Sequence, residues 1–142
     1  MIDVSELKDF LPHREPMVWV DQVLEANGDS GTCLVEIKED SLYLSDSTVR
    51  QSSYIEWMAQ SFGYINAYNS QKEDSKKKLE KAFLVGFEKV SFEETVPKVG
   101  DEIIIKIQLT RVIGPISYVQ GIIYSKDESV KFCEAVIKLF AA

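Results

Sequence analysis

The stretch "YIEWMAQSFGYINAY", Tyr54 to Tyr68, decides the fold because it is apolar on almost every side of a helix. One stripe at helical spacing is aliphatic and a second is aromatic, and a helix apolar on most faces is a buried helix. The remaining strip contains Glu56, Gln60, Gly63 and Ala67, at steps of four, three and four. Glu56 and Gln60 therefore share one face. An acid in the most apolar helix of the chain suits either a functional site or the first turn of the helix, where the helix dipole favours a negative charge.

The segments around this helix have the period of strands and turns. A short helix is predicted over Val4 to Phe10, strands over Met17 to Glu25 and Thr32 to Lys38 around the turn "NGDSG", and a loop over Leu42 to Ser53. After the helix, Ser70 to Lys81 is a charged linker. Four strands are predicted beyond it, over Ala82 to Phe92, Glu102 to Arg111, Ser117 to Ser125 and Val130 to Phe140.

This order predicts an α+β fold in one domain that spans residues 1–142. A single long helix cannot be enclosed by a flat sheet, so an antiparallel sheet of about six strands is expected to curl around it. A small curled sheet has open edges. Pairing of two edges in a two-fold homodimer, with the long helices near the dyad, would cover one edge of each protomer.

Composition excludes several classes of function. The chain carries 23 acidic and 16 basic residues, a net charge of −7, which argues against broad nucleic-acid binding. Cys33 and Cys133 lie inside strand-like runs, and His13 is the only histidine, so no metal site or cofactor is expected. No apolar run is long enough to span a membrane. The polar start "MIDVSELKDF" is unlike a secretory signal, and a reducing cytoplasmic location is expected.

Three motifs resemble the 3-hydroxyacyl-acyl-carrier-protein dehydratases of fatty-acid synthesis, a hotdog-fold family. "LPHREPMVWVDQVLE", Leu11 to Glu25, resembles the opening of that family. "IEWMAQ", Ile55 to Gln60, resembles its central-helix motif, and "FLVGFEKVSFEETVPKVGDEI", Phe83 to Ile103, resembles its third strand and the following turn. The helix motif is closest to the divergent dehydratase-like proteins of aryl-polyene and related polyketide-type pigment clusters.

The resemblance implies a hotdog fold and dehydration of a 3-hydroxyacyl thioester, with Glu56 as the acid–base residue. The dehydratases carry their catalytic histidine in a Gly-His-Phe-Pro-Gly loop before the helix. This chain has "EDSLYLSDSTVRQSS" there, Glu39 to Ser53, without histidine, glycine or proline. His13, the sole histidine, is the candidate base if it reaches the site, and it also suits a structural role bonding a local backbone carbonyl. Gln60, Ser52, Ser53, Trp57 and Gly63 are the candidate substrate-binding residues, although Gln60 and Trp57 also suit structural roles.

Three functions remain open at this stage. Dehydration of a 3-hydroxyacyl thioester on an acyl-carrier protein or coenzyme A is the first. A hotdog thioesterase, in which one helix carboxylate activates water, needs no histidine. A non-catalytic subunit could instead complete a heterodimer with an active dehydratase. An acidic carrier would need a local basic patch, and "KKKLEK", Lys76 to Lys81, is the densest cluster of basic residues.

Overall fold

The computed structural model describes residues 1–10, 18–72 and 82–141. Those residues form nine strands, one α-helix and a 3-10 helix. The strands are β1 (Ile2–Asp3), β2 (Gln22–Asn27), β3 (Ser30–Glu36), β4 (Leu44–Ser45), β5 (Thr48–Val49), β6 (Ala82–Phe92), β7 (Glu102–Ile113), β8 (Ile116–Ser125) and β9 (Lys131–Ala141). The α-helix is α1 (Ser53–Lys72), and the 3-10 helix spans Val4–Phe10. No helix in these ranges is long and apolar enough to cross a membrane.

Seven strands form one antiparallel sheet in the order β1-β2-β3-β7-β8-β9-β6. The alternating apolar residues of β7 suit its position in the middle of the sheet. Ile103, Ile105 and Ile107 point into the core, and β-branched side chains of this kind suit a pleated, half-buried surface. The helix contacts β2, β3, β6, β7, β8 and β9, so the sheet curls around it as expected.

Two glycines allow the helix to lie close against the sheet. A Cβ atom on Gly121 would stand 2.5 Å from Met58 Sδ, and a Cβ atom on Gly31 would stand 2.6 Å from Ile65 Cδ1. A contact under 3.0 Å is closer than real Cβ atoms approach. The close packing of α1 therefore depends on the absence of a side chain at one position in β8 and one in β3.

The predicted α+β fold is confirmed, with differences at the ends of elements. The main sheet has seven strands rather than about six, because Ile2–Asp3 pairs with β2. The predicted loop before the helix contains the small hairpin β4–β5, and α1 continues to Lys72. The short N-terminal helix is a 3-10 helix. The first large strand begins at Gln22 among the described residues, five positions after its predicted start.

Strand β6 forms one edge of the sheet, and a bulge between Leu84 and Gly86 places its exposed apolar side chains on both faces. Phe83, Val85 and Phe87 are each more than half exposed. An unpaired strand edge with exposed apolar residues is a surface that proteins usually cover. This edge is therefore the place where a second chain could pair.

Candidate active site

The N-terminal end of α1 is fixed by hydrogen bonds to the preceding segment. Ser53 donates from its backbone N–H to the carbonyl of Arg50 at 2.9 Å, and from Oγ to the carbonyl of Tyr43 at 3.3 Å. Ser53 is buried and Ser52 is exposed. Of these two predicted substrate-binding serines, only Ser52 presents its side chain to solvent, whereas Ser53 anchors the start of the helix.

Glu56 and Gln60 lie on one face of α1 and are hydrogen bonded, in agreement with their spacing in the sequence. Gln60 Nε2 donates to Glu56 Oε1 at 3.0 Å. Gln60 Oε1 accepts the backbone N–H of Trp19, also at 3.0 Å. Glu56 is half-buried, while only 2% of Gln60 is exposed. A buried amide thus connects the carboxylate to the chain segment that leads into β2.

The chemistry of the three groups fixes which way the Gln60 amide points. The N–H of Trp19 can only donate, so it requires the amide oxygen, and the amide nitrogen is then directed at Glu56. In this arrangement Glu56 Oε1 accepts the hydrogen bond from the amide, which fixes the orientation of the carboxyl group. Gln60 was predicted to contact substrate. Its contacts support a role in positioning Glu56, and contact with substrate stays a prediction.

Trp57 belongs to an aromatic cluster beneath the helix start. Its ring centroid lies 4.9 Å from that of Tyr43 and 6.4 Å from that of Trp19, and the Trp19 and Tyr43 centroids are 5.4 Å apart. Trp57 is fully buried. Edge-to-face aromatic pairs of this kind add to the stabilisation from burial. The cluster supports the structural role of Trp57, and contact with substrate remains a prediction.

Tyr43 is the residue of the site that the sequence did not reveal. Its hydroxyl accepts the backbone N–H of Lys38 at 3.0 Å and donates to the carbonyl of Glu36 at 3.3 Å. Its own carbonyl accepts from Arg50 and Ser53. Tyr43 therefore ties the end of β3 to the helix start, in the segment where the dehydratases carry their histidine loop. An aromatic residue in a polar segment without a period was the only available signal.

Of the other predicted site residues, Gly63 lies in the described part of the chain and His13 does not. Gly63 lies in α1 beyond Gln60 and is half-buried. His13 lies outside the described residues, as does the basic cluster Lys76 to Lys81. The predictions that His13 is a base and that the cluster recruits a carrier stay untested.

The two cysteines are buried thiols with raised pKa values. Both are free and buried, and desolvation is the main cause that raises the pKa of each thiol to about 12. Cys33 Sγ contacts the carbonyl of Ser61 at 3.9 Å. In the described ranges, no group of three or more His, Cys, Asp or Glu side chains could hold a metal ion. Burial and the raised pKa values therefore argue against either cysteine as the reactive group.

The chain is similar to known dehydratases along most of its length. It is 33% identical over 130 residues to the 3-hydroxyacyl-[acyl-carrier-protein] dehydratase FabZ of Streptococcus agalactiae serotype V, with 86% of each protein covered. The match to the corresponding FabZ of Oceanobacillus iheyensis is 31% over 143 residues and covers 96% of each.

The fold is also that of a solved dehydratase complex. A chain of the dehydratase heterocomplex ApeI:P from Xenorhabdus doucetiae superposes with a TM-score of 0.84 at 18% identity, covering 100% of this chain and 92% of that one. The ApeP-like family model, described as ApeP dehydratase, matches residues 5–142. The match over nearly the whole sequence shows that the chain belongs to the ApeP-like dehydratase family, a branch of the hotdog-fold dehydratases.

Proposed function

We propose that this protein dehydrates a 3-hydroxyacyl thioester carried on an acyl-carrier protein and releases the trans-2-enoyl thioester. The observation that carries the proposal is the Glu56 carboxyl group, held by Gln60 at 3.0 Å near the start of the buried helix. The similarity to FabZ, whose name states the same reaction, supports the proposal.

The reaction needs one base and one acid. A base removes a proton from C2. The electron pair of the broken C2–H bond forms the C2–C3 double bond, and the C3–O bond breaks. The hydroxyl group takes a proton from the acid and leaves as water. Glu56 is the proposed acid, and the hydrogen bond that its Oε1 accepts from Gln60 orients the carboxyl group. His13 is the proposed base, as the sole histidine of the chain.

Hydrolysis of an acyl thioester is the second candidate. The segment Glu39 to Ser53 has no histidine, and its Tyr43 hydroxyl bonds backbone groups of β3 and Lys38. A single helix carboxylate can take a proton from an attacking water without help from a histidine. In that reaction water attacks the thioester carbonyl, the C–S bond breaks, and the thiol and free acid leave.

We also propose that the chain works as a dimer joined through the edge of β6. The exposed apolar side chains on both faces of this strand support such pairing. In a homodimer, the edge of β6 would pair with the same edge of a second copy. The similarity to a heterocomplex supports a second possibility, in which a different hotdog chain pairs with β6 and supplies the base.

The products of one incubation separate these functions. Purified protein is mixed with a 3-hydroxyacyl carrier thioester, and the acyl species are followed by mass spectrometry. Loss of one water from the thioester indicates dehydration, whereas free acid indicates hydrolysis. Glu56→Gln keeps the size of the side chain and removes the proton transfer, so turnover should fall by roughly 10²–10⁴-fold. An unchanged substrate with the wild-type protein alone would leave the role of a binding subunit.

A further inference from the structure

The outer face of the sheet carries a row of apolar side chains across four adjacent strands. Strand register places Phe83 opposite Phe140, Phe140 opposite Ile116, and Ile116 opposite Ile113. Phe83 and Ile113 are each 52% exposed and Phe140 is 36% exposed. Directly paired residues share one face of a sheet, so the four side chains form a continuous strip.

Alternation along the strands shows that this strip faces away from the helix. Val119 in β8 and Leu139 in β9 are buried in the core against α1. Ile116 and Phe140 are out of step with them by an odd number of residues, so they point to the opposite face. In residues 1–10, 18–72 and 82–141 neither helix lies on that face, because α1 and the 3-10 helix contact each other on the inner side.

A second row, next to the apolar one, is basic and aromatic. Register places Arg111 opposite Tyr118 and Tyr118 opposite Lys138. Arg111 Cζ lies 4.2 Å from the centroid of the Tyr118 ring, and Lys138 Nζ lies 5.6 Å from it. Lys138 also forms an ion pair with Glu88 at 3.4 Å. Within the described residues, Arg111 has no carboxylate partner within 4.0 Å.

We infer that these two rows, here called the hairpin patch (Phe83, Arg111, Ile113, Ile116, Tyr118, Lys138 and Phe140), dock an acidic, amphipathic surface of the acyl-carrier protein. The inference rests on the proposed function, which requires a carrier to approach the enzyme. With a net charge of −7 the protein repels an acidic partner over most of its surface. The stacked Arg111 offers a cation held in place, and the apolar strip offers area to bury.

Charge reversal tests the basic row. Arg111→Glu is compared with Lys126→Glu, which makes the same change in charge at an exposed lysine in the turn after β8, 3.3 Å from Glu102. The probe is a purified bacterial acyl-carrier protein in its holo form, titrated at low and high salt. Arg111→Glu should weaken binding roughly 10-fold at low salt, since it removes one attraction and adds one repulsion. Lys126→Glu should change the affinity by less than about 2-fold.

An apolar substitution tests the other row. Ile113→Ser should weaken binding by a similar factor at both salt concentrations, because it removes buried area and no charge. Val130→Ser, at a position 37% exposed beyond the opposite end of β8, is the matched control. Circular dichroism melts of all four variants check that each is folded. A change in the oligomeric state of Ile113→Ser would mean that a second copy covers the patch, which would overturn the inference.

Turnover with two substrates separates this inference from the proposed function. Arg111→Glu should lower kcat/KM for the carrier-bound thioester. The same acyl group on N-acetylcysteamine should react with this variant as it does with the wild-type enzyme. If the wild-type protein dehydrates the short thioester but does not bind the carrier, or if Arg111→Glu binds it normally, docking at this patch is wrong. Carrier binding without any turnover would refute the proposed function and leave the docking surface standing.

Discussion

The hydrogen-bonded chain Trp19–Gln60–Glu56 makes a prediction about one buried amide. Gln60→Met keeps most of the side-chain volume and removes both hydrogen bonds, each 3.0 Å long. The N–H of Trp19 then lacks its acceptor in a site where Gln60 is 2% exposed. Leaving a buried donor without a partner costs about 1–3 kcal/mol, so the free energy of unfolding should fall by about that amount.

The same change should affect turnover through the position of Glu56. A hydrogen bond to a charged group contributes about 1.5–3 kcal/mol, which corresponds to a loss of roughly 10–100-fold in kcat if the bond reaches that strength only as Glu56 gives up its proton. KM should change little, because Gln60 is proposed to touch the carboxylate rather than the substrate. Urea unfolding followed by tryptophan fluorescence and kinetics on a hydroxyacyl thioester give the two numbers.

Two further variants make the result interpretable. Asn69→Leu removes an exposed amide of the same helix that donates to the carbonyl of Gly28 at 2.9 Å, and it should leave kcat unchanged. Gln60→Glu keeps an acceptor for the N–H of Trp19 but sets two carboxyls together, so one must stay protonated. The pKa of that protonated carboxyl group is raised in the native state. The stability of Gln60→Glu relative to wild type should therefore fall as pH rises above about 4. Wild-type stability and kcat in Gln60→Met would refute the positioning role.

Three other outcomes follow from the packing and the edge of the sheet. Gly31→Ala should lower stability by about 1–3 kcal/mol, because the added methyl group would lie 2.6 Å from a backbone carbonyl oxygen. The control Gly86→Ala, whose nearest contact is at 3.7 Å, should cost under about 1 kcal/mol. Thermal melts measure both. Phe87→Asp on the open edge of β6 should shift light scattering from a dimer to the mass of one chain; a wild-type protein that is already monomeric would contradict the edge-pairing proposal. Cys33 and Cys133 should resist a thiol reagent in the native state at pH 8. Because burial raises both thiol pKa values from 9.0 to about 12, the stability that the buried thiols contribute is complete below pH 9 and lost as pH rises towards 12, which alkaline urea titrations can measure.

The fold could be predicted from the sequence wherever period and turn chemistry act locally. The helix predicted from Tyr54 begins at Ser53, and the strand predicted over Ala82 to Phe92 has those bounds. The turn predicted in "NGDSG" is present but shorter, because only Gly28 and Asp29 lie between the paired strands. Close approach of distant segments was not predictable. The need for glycine at Gly121 is set by Met58 across the helix–sheet contact, which no local pattern encodes.

The candidate site divides in the same way. The pairing of Glu56 with Gln60 follows from one helical turn, and the spacing of the residues alone predicts it. The orientation of the Gln60 amide depends on Trp19, 41 residues away in the chain, so it follows only from the tertiary structure. That contact changes the chemistry of the site. The hydrogen bond from Gln60 Nε2 holds Oε1 of Glu56 and so sets the direction in which the carboxyl group points. Because the hydrogen bond to Trp19 fixes Gln60, substitution of Gln60 tests whether the position of the carboxyl group matters. Loss of the carboxyl group itself cannot separate that effect from loss of the acid.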